Sequence, residues 1–377
     1  MRYLTILLEG GLTRPSGAGK TPLETADTST LDRLARRGRV GAVRLLPEER
    51  RLPAEAIYLS VLGYDPENYT GRGAVLAAAR RIPLGEREVA CAAPLVSTDG
   101  TTLFSDGTEG ISDEESVALL DAVSEKLGSS RMALYPAPGN HGFAVFADLP
   151  GSVLARSPQR CVGKTLRECL PEGEAAEKLT GLMFDSLEIL DRHPTNRQRR
   201  GRGQSPLNMI WPYGPGRSLS LPPLFDRIGP AAAVTDRALA AGIARAAGLR
   251  VVAPPAPGYA AVVAAVREAQ KADVPSLFVP VRIVAPDENP ENEEHAERIE
   301  QVDRDLVEPL LSRFERGDEA FRCLVIATPP VPGADPVPFL IYDPIRPENP
   351  VLPFDERALP EIRAVLDGRR MVDSLTR

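Results

Sequence analysis

Histidine is nearly absent from this chain. His141, His193 and His295 are the whole supply in 377 residues, and hydrolytic sites built on two divalent cations usually draw heavily on imidazole. Cysteine is almost as scarce. Cys91, Cys161, Cys169 and Cys323 show no CxxC spacing, so neither a zinc knuckle nor a disulfide framework is indicated, and a reducing cytoplasm is the simplest home. No apolar run approaches the roughly 20 residues that span a bilayer, and the opening MRYLTILLEGG has too short an apolar stretch for a signal peptide. Positive charge is in deficit, with 45 Lys and Arg against 52 Asp and Glu for a net charge of -7, which argues against a nucleic-acid surface. RHPTNRQRRGRG (192–203) is the only dense basic run. It reads as a solvated loop, with a phosphate grip as the sharper alternative. Internal repeats and low-complexity tracts are missing.

What is present is an ordinary globular composition, 43% hydrophobic and 26% charged, in a chain long enough for one large or two medium domains. YLTILLE (3–9) is a β-rich apolar run before Gly-Gly, as a buried parallel strand requires. In TPLETADTSTLDRLARRGRVG (21–41), Thr30 is the expected N-cap and Leu31, Leu34 and Ala35 make a helical stripe. VGAVRLLP returns to strand. The same grammar resumes late: helices at 236–248 and 258–272, strands in LRVVAPP, SLFVPVRIVAP, FRCLVIATPP and VPFLIYDP, and the longest helix at 292–316. The middle differs, with helices at 112–128 and 175–193, a strand in NHGFAVFADLP and a returning strand in SPLNMIWPYGPG. The pattern predicts an α/β core of 1–105 and 211–377, interrupted by a smaller α/β domain at 106–210. Trp211 is expected to pack where the inserted domain rejoins the core.

Five stretches together resemble one family, the archaeal-type cofactor-independent phosphoglycerate mutases of the alkaline phosphatase superfamily: GKTPLETADTSTLDRLARRGRVG (19–41), LSVLGYDPENYTGRG (59–73), HPTNRQRRGRGQSPLN with IWPYGPG (193–216), APDE (285–288) and DPVPFLIYD (335–343). They occur in the family's order across nearly the whole chain. The resemblance implies an alkaline-phosphatase-like core sheet flanked by helices. It also implies a serine or threonine that takes a phosphoryl group from one hydroxyl of phosphoglycerate and returns it to the other, with two divalent metals to neutralise charge and arginines to grip the substrate.

Position by position, the chain departs from that pattern. Glu9 stands where the resemblance implies the first metal-binding Asp, Thr13 at the second acidic place, and Ala54-Glu55-Ala56 where the nucleophile would lie. A methyl group cannot accept phosphorus. Asp287 survives in the C-terminal metal loop, while Glu291 and Asn292 fill the next two places. IATPP (326–330) lacks the implied Asp-His-Ser, and Pro332 replaces a histidine. In the inserted domain, DGTEGIS (106–112), Gly142 and Ser157-Pro158-Gln159 stand where the resemblance implies charged or imidazole groups, and just before APDE Val284 stands where it implies a lysine. Of the substrate-gripping set Arg72, Asn196 and Arg199 remain.

From these losses the expectation is a catalytically inactive homologue, a binding or regulatory module for a small anionic metabolite or a protein partner, contacted through Arg72, Asn196 and Arg199. No cofactor is expected, and neither nucleic acid nor membrane is a partner. The alternative is a metal-dependent phosphotransferase interconverting 2- and 3-phosphoglycerate, or a related phosphatase, with Mn or Mg held by the weak candidates Glu9, Asp287 and Glu291. The other reading of Glu9 and Asp287 is hydrogen bonding to loop amides or solvent exposure at strand ends. Glu55 is expected to have no acid–base role, and His295 to sit on a solvent-leaning helix start.

Overall fold

The computed structural model describes residues 1–13, 19–107, 110–150, 152–272, 274–286, 288–316, 320–346 and 352–376. Contacts divide the chain into two compact units, Met1–Tyr69 with Leu221–Arg377, and Thr70–Ser220.

In the first unit the near-continuous apolar runs become strands buried on both faces, as parallel sheets demand. In chain order they are β1 (Arg2–Glu9), β2 (Arg39–Arg44), β3 (Ala231–Val234), β4 (Arg250–Val252), β5 (Ser276–Arg282), β6 (Phe321–Thr328), β7 (Val337–Tyr342) and β8 (Val365–Asp367). They form an eight-stranded sheet in the order β4-β3-β5-β1-β6-β7-β2-β8. Strand β7 pairs antiparallel with both neighbours, and every other pairing in the sheet is parallel. Leu4, Ile6, Leu7 and Leu8 of β1 lie at the centre of the core. Register aligns Glu9, the last residue of β1, with Arg282 on β5 and Thr328 on β6. These three side chains therefore mark the carboxyl edge of the sheet, where α/β sheets gather their ligands.

Helices flank this sheet. The long helix expected at 292–316 runs as Asn292–Val302 and Glu308–Glu315, joined by a π turn at Asp303–Val307. Its buried Asp303 accepts hydrogen bonds from the Thr30 and Leu31 amides, both at 2.9 Å. Capping of the Ser29–Ala35 helix thus differs from expectation. Thr30 lies inside the helix, Thr28 at the N-cap makes no side-chain cap bond, and a carboxylate 273 positions beyond Thr30 satisfies the free amides instead. Burial raises the Asp303 pKa, against the pull of those amides.

The second unit has a four-stranded antiparallel sheet of Tyr213–Gly216, Val89–Ala92, Phe143–Phe146 and Met132–Tyr135, and a three-stranded one of Met209–Ile210, Leu95–Thr98 and Leu103–Ser105. Leu119, Leu120 and Val123 on the Asp113–Leu127 helix and Leu179 and Leu182 on the Ala176–Leu190 helix bury against Phe146 and Ile210. Its boundaries, 70 and 220, are wider than the expected 106–210 because the Arg72–Ala79 helix seats on the Val89–Ala92 strand. Gly73 permits that approach: a Cβ there would lie 2.1 Å from the Ala90 carbonyl oxygen. Trp211 is buried and donates its Nε1 hydrogen to the Arg156 carbonyl at 2.8 Å. All four cysteines are free and buried, and burial pushes Cys91 up to about 12. No helix among the described residues is long and apolar enough to cross a membrane.

Candidate functional site

The carboxyl edge of the large sheet joins Glu9 to two side chains that the sequence motifs do not single out. Glu9 Oε1 accepts a hydrogen bond from the Tyr58 hydroxyl at 2.9 Å and a charge-assisted one from Arg237 Nη1. Tyr58 comes from the short Ile57–Val61 helix and Arg237 from the turn directly after β3, at the N-cap of the Ala238–Ala246 helix. The Arg237 guanidinium also lies over the Tyr58 ring, 5.9 Å from its centroid, and the Phe278 ring meets Tyr58 edge-on at 6.3 Å. Both charged side chains are largely withdrawn from water, at 21% exposed for Arg237 and 13% for Glu9.

Electrostatics follow from that burial. Desolvation, reinforced by the Glu9 charge, raises the Tyr58 pKa far above the usual phenol value, so its hydroxyl stays protonated and donates. For Arg237 burial opposes the charge, but the Glu9 carboxylate reverses it and the pKa moves up. The arginine is therefore a permanent cation tied to Glu9. Across the sheet, Thr328 Oγ1 is buried with no hydrogen-bond partner among the described residues.

Beside this edge lies a cavity of about 630 Å³ whose lining includes Thr13, Lys20, Thr21, Asn292, His295 and Pro329. Glu356 braces its rim, accepting from the Thr13 amide at 3.2 Å and from the Thr21 hydroxyl at 2.7 Å. His295 differs from expectation: it is buried rather than solvent-leaning, and its Nε2 lies 2.6 Å from the Gly10 carbonyl oxygen. The cause is the helix's own stripe, because His295 and Ala296 fall on the face that carries Ile299 and Val302 into the core.

Of the metal candidates, Glu9 is held by the Tyr58 hydroxyl and the Arg237 guanidinium and is largely withdrawn from solvent. Glu291 is exposed at the N-cap of the Asn292–Val302 helix. Asp287 lies outside the described residues. No three His, Cys, Asp or Glu side chains converge on a metal position among the described residues, and the one carboxylate on the central strand is already neutralised by a guanidinium. The described side chains do not fit a pair of divalent ions. Ala54 is half-buried and opens the Ala54–Ala56 turn, and the buried Glu55 accepts from the Tyr69 hydroxyl at 2.9 Å.

The three anion-contact candidates all belong to the second unit. The Arg72 guanidinium lies 5.7 Å from the centroid of the Tyr213 ring. Asn196 is fully buried. It donates to the Leu190 and Leu207 carbonyls, both at 2.9 Å, and accepts from the Leu207 amide at 2.8 Å. Arg199 donates to the carbonyls of Ser205 at 2.9 Å and Gly110 at 2.8 Å and pairs with Glu115 at 2.5 Å. The retained HPTN stretch therefore knits backbone, and the Pro194–Gly201 helix replaces the solvated loop expected at 192–203. Its first turn is capped by His193, whose Nδ1 accepts from the Thr195 amide at 3.3 Å. Tyr58 and Arg237 were missed by motif reading. The signal was positional: Thr-Asp-Arg directly after an apolar strand of a parallel sheet stands at the edge that collects ligands.

The family model for 2,3-bisphosphoglycerate-independent phosphoglycerate mutase matches residues 35–196. The mutase of that name from Methanothrix thermoacetophila is 34% identical over 362 residues, covering 90% of each chain. A probable mutase from Geobacter sulfurreducens is 32% identical, covering 100% of this chain and 99% of its own. Among solved structures, a protein of Pyrococcus horikoshii matches with a TM-score of 0.79 at 22% identity, covering 100% of this chain and 96% of its own. A cofactor-independent phosphoglycerate mutase from Thermoplasma acidophilum matches at 0.64 and 22%, covering 100% and 98%. Both share the fold. The expectation of an inactive binding module, and with it of no enzyme, is overturned by relatives that align across nearly the whole chain under enzyme names. The chain belongs to the 2,3-bisphosphoglycerate-independent phosphoglycerate mutase family.

Proposed function

We propose that this chain transfers a phosphoryl group on phosphoglycerate, interconverting the 2- and 3-isomers. One observation carries the reading: 34% identity over 90% of both chains to a protein named for that reaction. In the transfer one ester P–O bond breaks and another forms on the neighbouring hydroxyl, with one proton passing the opposite way. Negative charge on the phosphoryl oxygens has to be balanced throughout. Among the described side chains, the Arg237 guanidinium on Glu9 is a built-in positive group at the carboxyl edge. Ala54 offers no oxygen to phosphorus, so the acceptor in this chain is another group.

That same alanine favours a second reading, release of phosphate to water. Water oxygen then forms the new P–O bond, and glycerate leaves with the proton. Phosphorus NMR of purified protein with 3-phosphoglycerate separates the two. Parallel arms contain Mn²⁺, Mg²⁺ or EDTA, because the family resemblance implies divalent ions. A growing 2-phosphoglycerate signal is expected. Inorganic phosphate alone supports the second reading, and an unchanged spectrum in every arm removes both.

A further inference from the structure

We propose that the Arg237 guanidinium occupies the charge position a divalent ion would take against Glu9, so that this carboxylate binds no metal. The inference stands on the cluster's geometry and not on the reaction proposed above. Glu9 ends a central strand that runs parallel to both its neighbours, the usual place for a chemistry-bearing carboxylate. Its Oε1 already receives two donors, the Tyr58 hydroxyl and Arg237 Nη1. Arg237 is held twice more: by the face of the Tyr58 ring, and by its own amide, which donates to Thr235 Oγ1 at 3.1 Å and fixes the turn that aims it.

An incoming divalent ion has to displace that guanidinium. Doing so strands a positive charge that is only 21% exposed, beside a second cation, and stranding one member of a withdrawn ion pair is strongly unfavourable. In return the ion gains Glu9 at a place where no three His, Cys, Asp or Glu side chains converge among the described residues. A Lys in place of Arg237 could lose its proton and its charge; a guanidinium stays charged at every working pH. The site thus carries a tethered cation that no chelator removes.

The test reads metal binding, not turnover. Mn²⁺ is titrated into the full-length wild-type protein and into Glu9→Gln, with free ion followed by electron paramagnetic resonance. Both proteins are expected to retain the same bound Mn²⁺. One equivalent held by wild type and lost in Glu9→Gln overturns the proposal. Thermal melts add a double-mutant cycle. Arg237→Met is expected to lower the melting temperature by several degrees, and adding Glu9→Gln to recover part of the loss, since the pair then has no unmatched charge. Additive losses count against the pairing. Should Arg237→Met fail to fold, the Mn²⁺ comparison alone decides. An unchanged phosphoglycerate spectrum would remove the reaction and leave this result standing.

Discussion

Each of the two units contains a withdrawn arginine–glutamate pair, and the two are built differently. In the unit of residues 70–220, Arg199 is 3% exposed and spends its donors on two backbone carbonyls and on Glu115. Glu115 meanwhile receives Arg202 and belongs to the capping box that starts the Asp113–Leu127 helix. In the sheet unit, Arg237 and Glu9 meet at strand ends and are steadied by a tyrosine hydroxyl and ring. The first pair is woven into main chain. The second is a side-chain cluster placed where parallel sheets collect ligands. An arginine inside a family motif therefore serves the fold here, while charge at the sheet edge comes from a residue outside every motif.

The largest effect expected from this comparison follows Arg199→Met. It leaves the Ser205 and Gly110 carbonyls without their donor and weakens the neutralisation of Glu115. Breaking a buried pair of this kind costs about 3 to 5 kcal/mol. Urea unfolding should read that loss directly, with a fall greater than Arg237→Met produces. If the two variants lose the same amount, the distinction between the pairs fails. Asn196→Ala comes next. Three hydrogen bonds disappear and the Leu207 amide is left without its side-chain acceptor in a dry interior, for about 2 to 3 kcal/mol. Retention of full stability would show that water fills the gap and that Asn196 does not knit the motif.

Much of the fold could be read from the chain because buried parallel strands announce themselves. YLTILLE, SLFVPVRIVAP and FRCLVIATPP are too apolar for anything but a two-faced interior, and each became a strand. Capping was less legible. Thr30 looked like an N-cap because local rules see only neighbours, whereas the group that satisfies those amides, Asp303, arrives through tertiary packing. The unit boundary was misplaced for a related reason. VACAAPLVST, split by Pro94, gives two short strands whose partners lie far along the chain at Phe143–Phe146 and Met209–Ile210. At the site, Glu9 was visible from its place at the end of β1, but its partner depends on which loop crosses that edge. Composition alone does not distinguish Arg237 in Asp-Arg-Ala-Leu-Ala from a solvated arginine; its place directly after β3 does, once β3 is set beside β5.

The smallest expected effect uses the same contrast between units and concerns pH. Burial, helped by the charge of Arg298 and opposed by the bond to the Gly10 carbonyl, lowers the His295 pKa below the usual 6.5. A depressed imidazole in the folded state means that the unfolded chain takes up a proton the folded chain refuses. Its contribution is therefore present above the unfolded value and lost as pH falls through the folded one. His295→Gln keeps a side-chain donor within reach of the Gly10 carbonyl and removes the titration. Urea midpoints followed from about pH 7 to about pH 5 should fall less steeply in the variant than in wild type. His193 is also lowered, by burial first and then by Arg197 and Lys126, but it caps a helix in the other unit. His193→Gln should consequently flatten the slope of that unit's unfolding and leave the sheet unit's slope in place. Identical slopes in wild type and His295→Gln would mean that His295 accepts its proton inside the fold, and that the Gly10 carbonyl outweighs burial there.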